Sequence, residues 1–573
     1  DIDKFIEYNL NDVEIVKALD QKFKLLDLAR AVSHLGRIPY EEVYFSSRYI
    51  EGAMLVYLRS LGLVAPSKLP TASYDGSEGR FSGAYVKSPV PGCYDWVFDL
   101  DLTSMYPSII MSLNMSPETK IGKINGWDAE EFIKGEDKHY SVEKDKKVIR
   151  TFTSGELKDF FGKNEISISS NGVLYDLTKK GVIPAILEKW FNERVEYRKL
   201  AKKYETEGDL ELHGYFNRRQ LVQKILLNSL YGVLGLTVFR FYDIDNAEGT
   251  TTTGQELIKF TEKVTNSYYN KILKTDEDYC IYTDTDSVFY SALPLVKNRF
   301  PNADVKDEEF MTEQILDIAD EVQSYINKSY NYFSSRFLNI QGDHRFEIKQ
   351  EMIAKAAFWV TKKRYGQWII NDGGTPCEKL DVKGLDIVRS SFPPAFRDFM
   401  TKVLKAILAK VPKERIDEFI LEFKGNLKNE ELDKIALPTG VKGIKKYTKK
   451  KSKGGFGGSG KGIFTEMMKG APVHTKASVI YNDLLRYFKV NKHEAISNGN
   501  KVRWVYLKEN PLKIDGLAYK GYDDPKQIID FINQYVDRDK LFDKALKKKI
   551  QMFYDAMSWD MPVDKKNTIE KFF

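Results

Sequence analysis

Asp101, Asp284 and Asp286 are the residues whose type and spacing point most directly to chemistry. Asp101 closes the apolar run 96–100 and precedes a turn, Thr103-Ser104-Met105-Tyr106-Pro107. A carboxylate at a strand end projects toward a cleft, and the backbone amides that follow can form a concavity for an anion. Asp284 and Asp286 stand in Tyr282-Thr283-Asp284-Thr285-Asp286-Ser287, where strand alternation would put both on one side. Carboxylates so close repel each other unless a cation or a proton lies between them. Carboxylates converging from two segments suit Mg²⁺-assisted phosphoryl transfer, in which one ion activates the attacking oxygen and the other holds the leaving group. Taken singly, these aspartates read more readily as turn residues.

The surrounding pattern supplies elements to carry them. Residues 1 to about 33 repeat Ile6, Leu10, Val13, Val16, Leu19 and Phe23 at helical spacing, and a second helix is expected over 46–61. A Pro-, Ser- and Gly-rich loop follows, then strand-like runs at 83–92 and 96–102. Residues 121–182 mix strands and turns, with Asn171-Gly172 as a hairpin signal. From about 184 to 234 two helices form an antiparallel hairpin joined near 205–214. Another helix covers about 254–273, and two β-rich runs flank the Asp284–Asp286 turn. The stretch GGFGGSGKG at 454–462 reads as a mobile loop, and no internal repeat is present.

At 573 residues the chain is too long for one core, and roughly 100–200 residues per domain predicts about three to five domains. No run of 18 or more apolar residues occurs, so no membrane span is expected, and the N-terminus lacks the apolar core of a signal peptide. Cys93, Cys280 and Cys377 form no CxxC pair, which disfavours a zinc or iron–sulfur site and suggests buried, reduced thiols. The net charge of +6 identifies no partner by itself. Residues 442–453, however, hold seven lysines and no acid, a run that is either a solvated face or a nucleic-acid contact.

Four segments, in order, carry a resemblance. Residues 101–110, Asp-Leu-Thr-Ser-Met-Tyr-Pro-Ser-Ile-Ile, resemble motif A of the family B DNA polymerases. Lys224-Ile-Leu-Leu-Asn228-Ser229-Leu-Tyr231-Gly232 resembles motif B, Tyr282–Ser287 resembles motif C, and Lys362-Lys363-Arg364-Tyr365 resembles the later K-K-R-Y signature. Residues 83–89 and the stretches 171–175 and 181–184 are similar to neighbouring segments of the phage replicative type. The likeness weakens after about Arg389. Met105 stands where the family has leucine, and Thr283 where it has glycine, which puts the local turn in question but not the ligands.

The resemblance implies an α+β multidomain, right-hand polymerase: a palm with an antiparallel sheet, helical fingers and a mixed thumb, preceded by a remnant of a 3′–5′ exonuclease domain. It places the end of that domain at 1–33, a linker and the start of the palm at 34–97, palm at 98–183 and fingers at 184–245. Palm resumes at 246–390, and thumb and tail occupy 391–573. Asp101 and Asp286 would be the principal ligands of two Mg²⁺ ions, with Mn²⁺ as a substitute. The Leu102 carbonyl and Glu351 would complete the set, and Asp284 would tune it. Ser104, Met105, Tyr106, Arg194, Arg198, Lys224 and Asn228 would bind the dNTP, Tyr106 excluding a 2′-hydroxyl. Arg194 with Arg198, and Lys224 with Asn228, are four apart and share helix faces. Ser229, Tyr231 and Gly232 would lie under the nascent base pair. Lys363, Arg364 and Tyr365 would contact primer–template DNA, as would Lys445, Lys446 and Lys449 of the lysine run.

Tyr8 and Asp12 resemble the third exonuclease motif, whose partner motifs lie upstream in the family. Either a second polypeptide carries the N-terminal and exonuclease portions, or the chain is a fragment. The end of the chain, with Ile569, Phe572 and Phe573, resembles a sliding-clamp peptide. The expected setting is the cytoplasm, that of the host cell if the gene is a phage's. Two rivals remain: a catalytically silent DNA-binding scaffold, disfavoured by the intact Asp101 and Asp286, and an RNA-directed or RNA-making polymerase, disfavoured by Tyr106 and motif B.

Overall fold

The computed structural model describes residues 2–68, 81–135, 138–448, 464–490 and 492–563. Lys449, the 454–462 glycine stretch and the tail residues Ile569, Phe572 and Phe573 lie outside them.

The N-terminal periodicity forms two helices rather than one, α1 (Ile2–Phe23) and α2 (Leu25–Gly36), because Lys24 between them takes the left-handed conformation (φ 52°). None of the α1 residues is buried, so Tyr8 and Asp12 lie on an exposed helix. Helix α3 (Ser46–Ser60) matches its expected span and buries Tyr49, Ile50 and Met54. Of the two expected strands before the first aspartate only one forms, β1 (Gly92–Leu102). The segment before it runs extended, with a single bridge from Val86 to Asp284.

Helix α4 (Met105–Leu113) follows β1. Residues 120–176 then build an antiparallel five-stranded sheet of order β4-β3-β2-β6-β5. Its strands are β2 (Lys120–Ile124), β3 (His139–Lys144), β4 (Lys147–Thr153), β5 (Ile166–Ile168) and β6 (Val173–Asp176). Helices α5 (Ala129–Lys134) and α6 (Ser154–Lys163) lie between strands, α6 opened by a Thr153/Glu156 capping box. The Asn171-Gly172 signal is a hairpin, with β5 and β6 paired antiparallel and the Gly172 N–H donating to the Ser169 carbonyl at 2.8 Å.

The long helical hairpin forms as the periodicity requires: α7 (Val182–Thr206) and α8 (Leu210–Leu234), joined by residues 207–209. Asp209 caps α8 by accepting from the Leu212 N–H. Helix α9 (Ile244–Leu273) is ten residues longer at its start than its apolar spacing suggested. Its first turns are threonine-rich: Thr250, Thr251 and Thr253 are buried, the hydroxyls of Thr250 and Thr251 donating to carbonyls one turn back and that of Thr253 accepting from the Ser170 N–H at 3.1 Å. Strands β7 (Cys280–Asp284) and β8 (Ser287–Ser291) follow, then α10 (Leu293–Arg299) and α11 (Glu308–Phe337). Three long strands complete the central sheet: β9 (Ile348–Thr361), β10 (Arg364–Asp372) and β11 (Thr375–Lys383).

That sheet has six antiparallel strands in the order β11-β10-β9-β1-β8-β7. β1 lies inside it and is covered on both faces, which explains its apolar run, broken only by Asp99: residues 96–100 are all buried. One core joins β1 and β8 to α3, α4, α7, α8, α9 and α11. A second core packs β9, through Ala356 and Phe358, against the C-terminal helices. That C-terminal part also carries a small sheet of β12 (Leu437–Gly440), β13 (Lys501–Tyr506) and β14 (Gly516–Tyr519). The three cysteines are free, but only Cys280 is buried. Among the described residues no helix is long and apolar enough to cross a membrane.

Gly172 has φ +84°, and a Cβ there would sit 2.1 Å from the Ile124 carbonyl oxygen. Gly172→Ala is therefore expected to cost about 2 kcal/mol or more, through strain at positive φ and displacement of β2. A lowered midpoint of thermal unfolding measures it.

Candidate active site

Asp101 is the penultimate residue of β1, opposite Ser287 of β8 and Lys349 of β9. The chain leaves the strand through Ser104, in the left-handed conformation (φ 49°), and enters α4, which has no side-chain N-cap. The first amides of that helix are thus left for an outside anion.

The second segment differs from expectation in a useful way. Asp284 ends β7 and Asp286 lies in the two-residue turn to β8, with Thr285 at φ +66°. The two carboxylates therefore do not alternate along one strand; the turn parts them. Asp284 accepts from Lys363 Nζ at 2.5 Å and from the Tyr282 hydroxyl at 3.2 Å. Asp286 is aligned with the end of β1, because the Leu102 N–H donates to the Asp286 carbonyl at 2.9 Å. Thr283, where a glycine was expected, is fully buried and accepts from the Lys87 N–H at 3.0 Å. Its hydroxyl ties the 83–89 segment to the hairpin, and the strained position is Thr285 instead.

The electrostatics follow from this packing. Burial, then the neighbouring Asp286, Glu351 and Asp99, push the Asp101 carboxyl up to about 8, while Lys224 pulls it down. Burial, then Asp284 and Glu351, push Asp286 up to about 6, against Lys363. Two acids in this state favour a cation between them. Glu351 itself is exposed on β9, and among the described residues no group of three or more His, Cys, Asp or Glu could hold one ion. A two-carboxylate set with a nearby carbonyl fits Mg²⁺, which is commonly held by one or two carboxylates and completed by substrate phosphates and water.

Asp99 was legible only as part of an apolar run, although Asp99-Leu100-Asp101 repeats the D-x-D spacing of the second segment. The register between β1 and β9 slips between Phe98 and Leu100, so Glu351 and Met352 together face Asp99. Its carboxylate accepts from the Met352 N–H at 2.7 Å and the Glu351 N–H at 3.3 Å, and burial pushes its pKa up to about 7.

The helical side brings the cations. Lys224 of α8 is near enough for its charge to act on Asp101. Arg194 of α7 is partly buried, its pKa lowered by burial and by Arg198, and its buried Nε has no hydrogen-bond partner. Asn228 and Gly232 are exposed on α8, and nothing lies within 4 Å of where a Gly232 Cβ would be. The Tyr106 and Tyr231 rings lie 4.3 Å apart at 33°. Gly254 of α9 leaves room for Met105 and Tyr106, whose atoms would lie 3.1 and 3.2 Å from a Cβ there. Ser229 hydrogen-bonds the Tyr49 hydroxyl at 2.7 Å, a contact from α3 that sequence spacing could not show.

Other expected contacts are redirected. Tyr365 is 7% exposed and its ring stacks on Trp359 at 5.5 Å, so most of it belongs to the sheet core. Arg364 turns toward Met552 and Asp386. Lys363 stays exposed at the turn, and Lys445 and Lys446 are exposed on a short helix, Ile444–Tyr447.

Against this geometry, the family model for DNA polymerase family B matches residues 43–555. The chain belongs to DNA polymerase family B. Among its relatives is the DNA-directed DNA polymerase of Enterobacteria phage T4, 26% identical over 97% of this chain and 64% of the relative. The DNA-directed DNA polymerase of Escherichia phage RB69 is 25% identical over 97% of this chain and 63% of the relative. The DNA polymerase delta catalytic subunit of Dictyostelium discoideum is 24% identical over 96% of this chain and 42% of the relative. This family B chain thus spans just under two thirds of the length of the phage proteins it matches.

Asp99→Ala removes the acceptor for two N–H groups of β9, and a loss of about 1–3 kcal/mol is expected from leaving them unpaired. Asp99→Asn keeps an acceptor and should lose less. Thermal unfolding of the two variants side by side reads the difference.

Proposed function

We propose that this chain carries the synthetic centre of a template-directed DNA polymerase, adding dNTPs to a primer 3′-hydroxyl with release of pyrophosphate. The observation that carries the reading is the hydrogen bond from Leu102 N–H to the Asp286 carbonyl, which sets Asp101 beside Asp286, with the Lys224 charge near enough to act on Asp101. In this reading the six-stranded sheet is the palm, α7 and α8 are the fingers, and the C-terminal part is the thumb.

Asp101, Asp286 and the Leu102 carbonyl would hold two Mg²⁺ ions, which when bound favour the 3′-oxygen as nucleophile and offset charge on the pyrophosphate. Arg194, Arg198 and Lys224 would hold the triphosphate. The unpaired Arg194 Nε and the repulsion from Arg198 are both relieved by a polyanion. The uncapped start of α4 would donate further amides to the phosphates. Tyr106, braced by Tyr231 and α9, would present its ring to the sugar and leave no space for a 2′-hydroxyl. Lys363 holds Asp284 through an ion pair, which supports Asp284 as a tuning group rather than a principal ligand.

The exposed apolar residues of α1, among them Phe5, Leu10, Val13 and Val16, support a nuclease portion that packs there. Tyr8 and Asp12 would then join a site completed by that portion.

Primer extension with Mg²⁺ and dNTPs tests the central reading. Asp286→Ala should lower the rate by more than about 100-fold, since even the outer partners of metal ligands are worth 10–100-fold. Extension that is equal in wild type and variant, or absent from folded wild type with the nuclease portion supplied, would support the silent-scaffold alternative.

Tyr106→Ala opens the space beneath the sugar. Its ratio of NTP to dNTP incorporation should rise by about 10- to 200-fold, the usual range for one steric contact. Competition between dCTP and CTP at one template position measures it.

A further inference from the structure

Helix α8 has two faces with different chemistry. Lys224 and Asn228 look toward the cleft, whereas Tyr215, Arg218, Arg219 and Val222, at i, i+3, i+4 and i+7, lie on the opposite side. That opposite face meets Asp27, Arg30, Ala31 and His34 of α2, which share the same spacing, and a pocket opens between the two helices. Arg37 closes one end of its lining.

The pocket gathers Arg30, Arg37, Arg218 and Arg219 against one acid, Asp27, which stands 3.8 Å from Arg30. Among the described residues no carboxylate lies within ion-pair distance of Arg37, Arg218 or Arg219. Arg218 lies along its own helix, its Nη1 3.1 Å from where a Gly214 Cβ would be. Arg219 donates to the Tyr197 hydroxyl at 3.3 Å and sits 5.1 Å from the centre of the Tyr215 ring. Tyr215 is 41% exposed. Four guanidinium groups lining one pocket with a single carboxylate leave it positively charged, with room for more than one negative charge. An exposed aromatic ring beside them offers a stacking surface.

We propose that this pocket binds unpaired single-stranded DNA, with its phosphates on the arginines and a base on Tyr215. Phosphates spaced along a flexible strand can follow a groove between two helices, and only an unpaired base is free to stack its face on Tyr215. The site is separate from the triphosphate-binding face, so strand and dNTP can be held on the same helix together. That the strand is the template ahead of synthesis rests on the polymerase reading; the binding itself does not.

The test is fluorescence anisotropy of the whole chain with a primer–template bearing a long 5′ template tail and with the same duplex blunt-ended, over a range of salt. Wild type should bind the tailed DNA more tightly and with a steeper salt dependence. Arg30→Ala/Arg218→Ala should abolish most of that gain and lower the slope for tailed DNA by about 1.4, at about 0.7 per single-strand phosphate contact. Blunt-duplex affinity should be unchanged. Tyr215→Ala should cut the gain several-fold with the slope unchanged, and keeps the test valid if the arginine variant folds poorly. A wild type that does not distinguish the two DNAs, a gain that survives both variants, or an equal loss on blunt duplex overturns the proposal. Because no synthesis is required, an inactive chain that still shows the tail-dependent gain would count against the polymerase reading alone.

Discussion

Asp101 and Asp286 repel each other, and the central sheet keeps them together. Each is raised by burial and by neighbouring carboxylates, so neither position would be chosen by two free acids. What holds them is backbone: β1 is paired on both edges, β8 returns directly after the Thr285-Asp286 turn, and the Leu102 N–H closes on the Asp286 carbonyl. Side-chain repulsion is thereby opposed by a ladder of hydrogen bonds spread over six strands. The arrangement is preorganised for positive charge, with Lys224 at one side and Lys363 drawing Asp284 away.

Asp99 belongs to the same constraint. A regular strand would pair its backbone with β9 throughout, but the bulge places two residues of β9 against one of β1. The spare N–H groups of Glu351 and Met352 would be costly in a core if left unpaired. A carboxylate at residue 99 takes both, and thereby fixes the β9 backbone that carries Glu351 toward the site. The bulge lies on β9 beside the last residues of β1, so the local bend and twist that it adds fall next to Asp101.

Much of this was legible in the sequence because it is local. The α7–α8 hairpin announces itself through apolar spacing, and Val222, Leu226, Leu230 and Val233 are indeed buried. The Asn171-Gly172 hairpin is legible because only glycine suits φ +84° against the Ile124 carbonyl. The order of the four long motifs identified the family, which residues 43–555 confirm. What could not be read depends on partners far away in the chain. Tyr49 reaches Ser229 across 180 positions, and Thr283 finds its donor on Lys87. Tyr365 looked available because it follows a basic turn, yet the pairing of β9 with β10 sets its ring on Trp359. Asp99 was hidden by its apolar neighbours, since a register slip has no signature in one strand alone.

Helix α8 shows how a single element can serve two surfaces without compromise. Its cleft face must stay open: Lys224, Asn228 and Gly232 are exposed and Gly232 faces empty space. Its buried stripe, Leu226, Leu227, Leu230, Val233 and Leu234, anchors the C-terminal half in the main core. The N-terminal half has little such anchorage and packs instead on α7, where Tyr204 stacks on Phe216. It also packs on α2, around the arginine-lined pocket. The two surfaces therefore stay apart on one helix: the arginines of the outer groove and the Lys224 charge that acts on Asp101 lie on opposite sides of α8, so each can meet its own anion without competing for the same side chains.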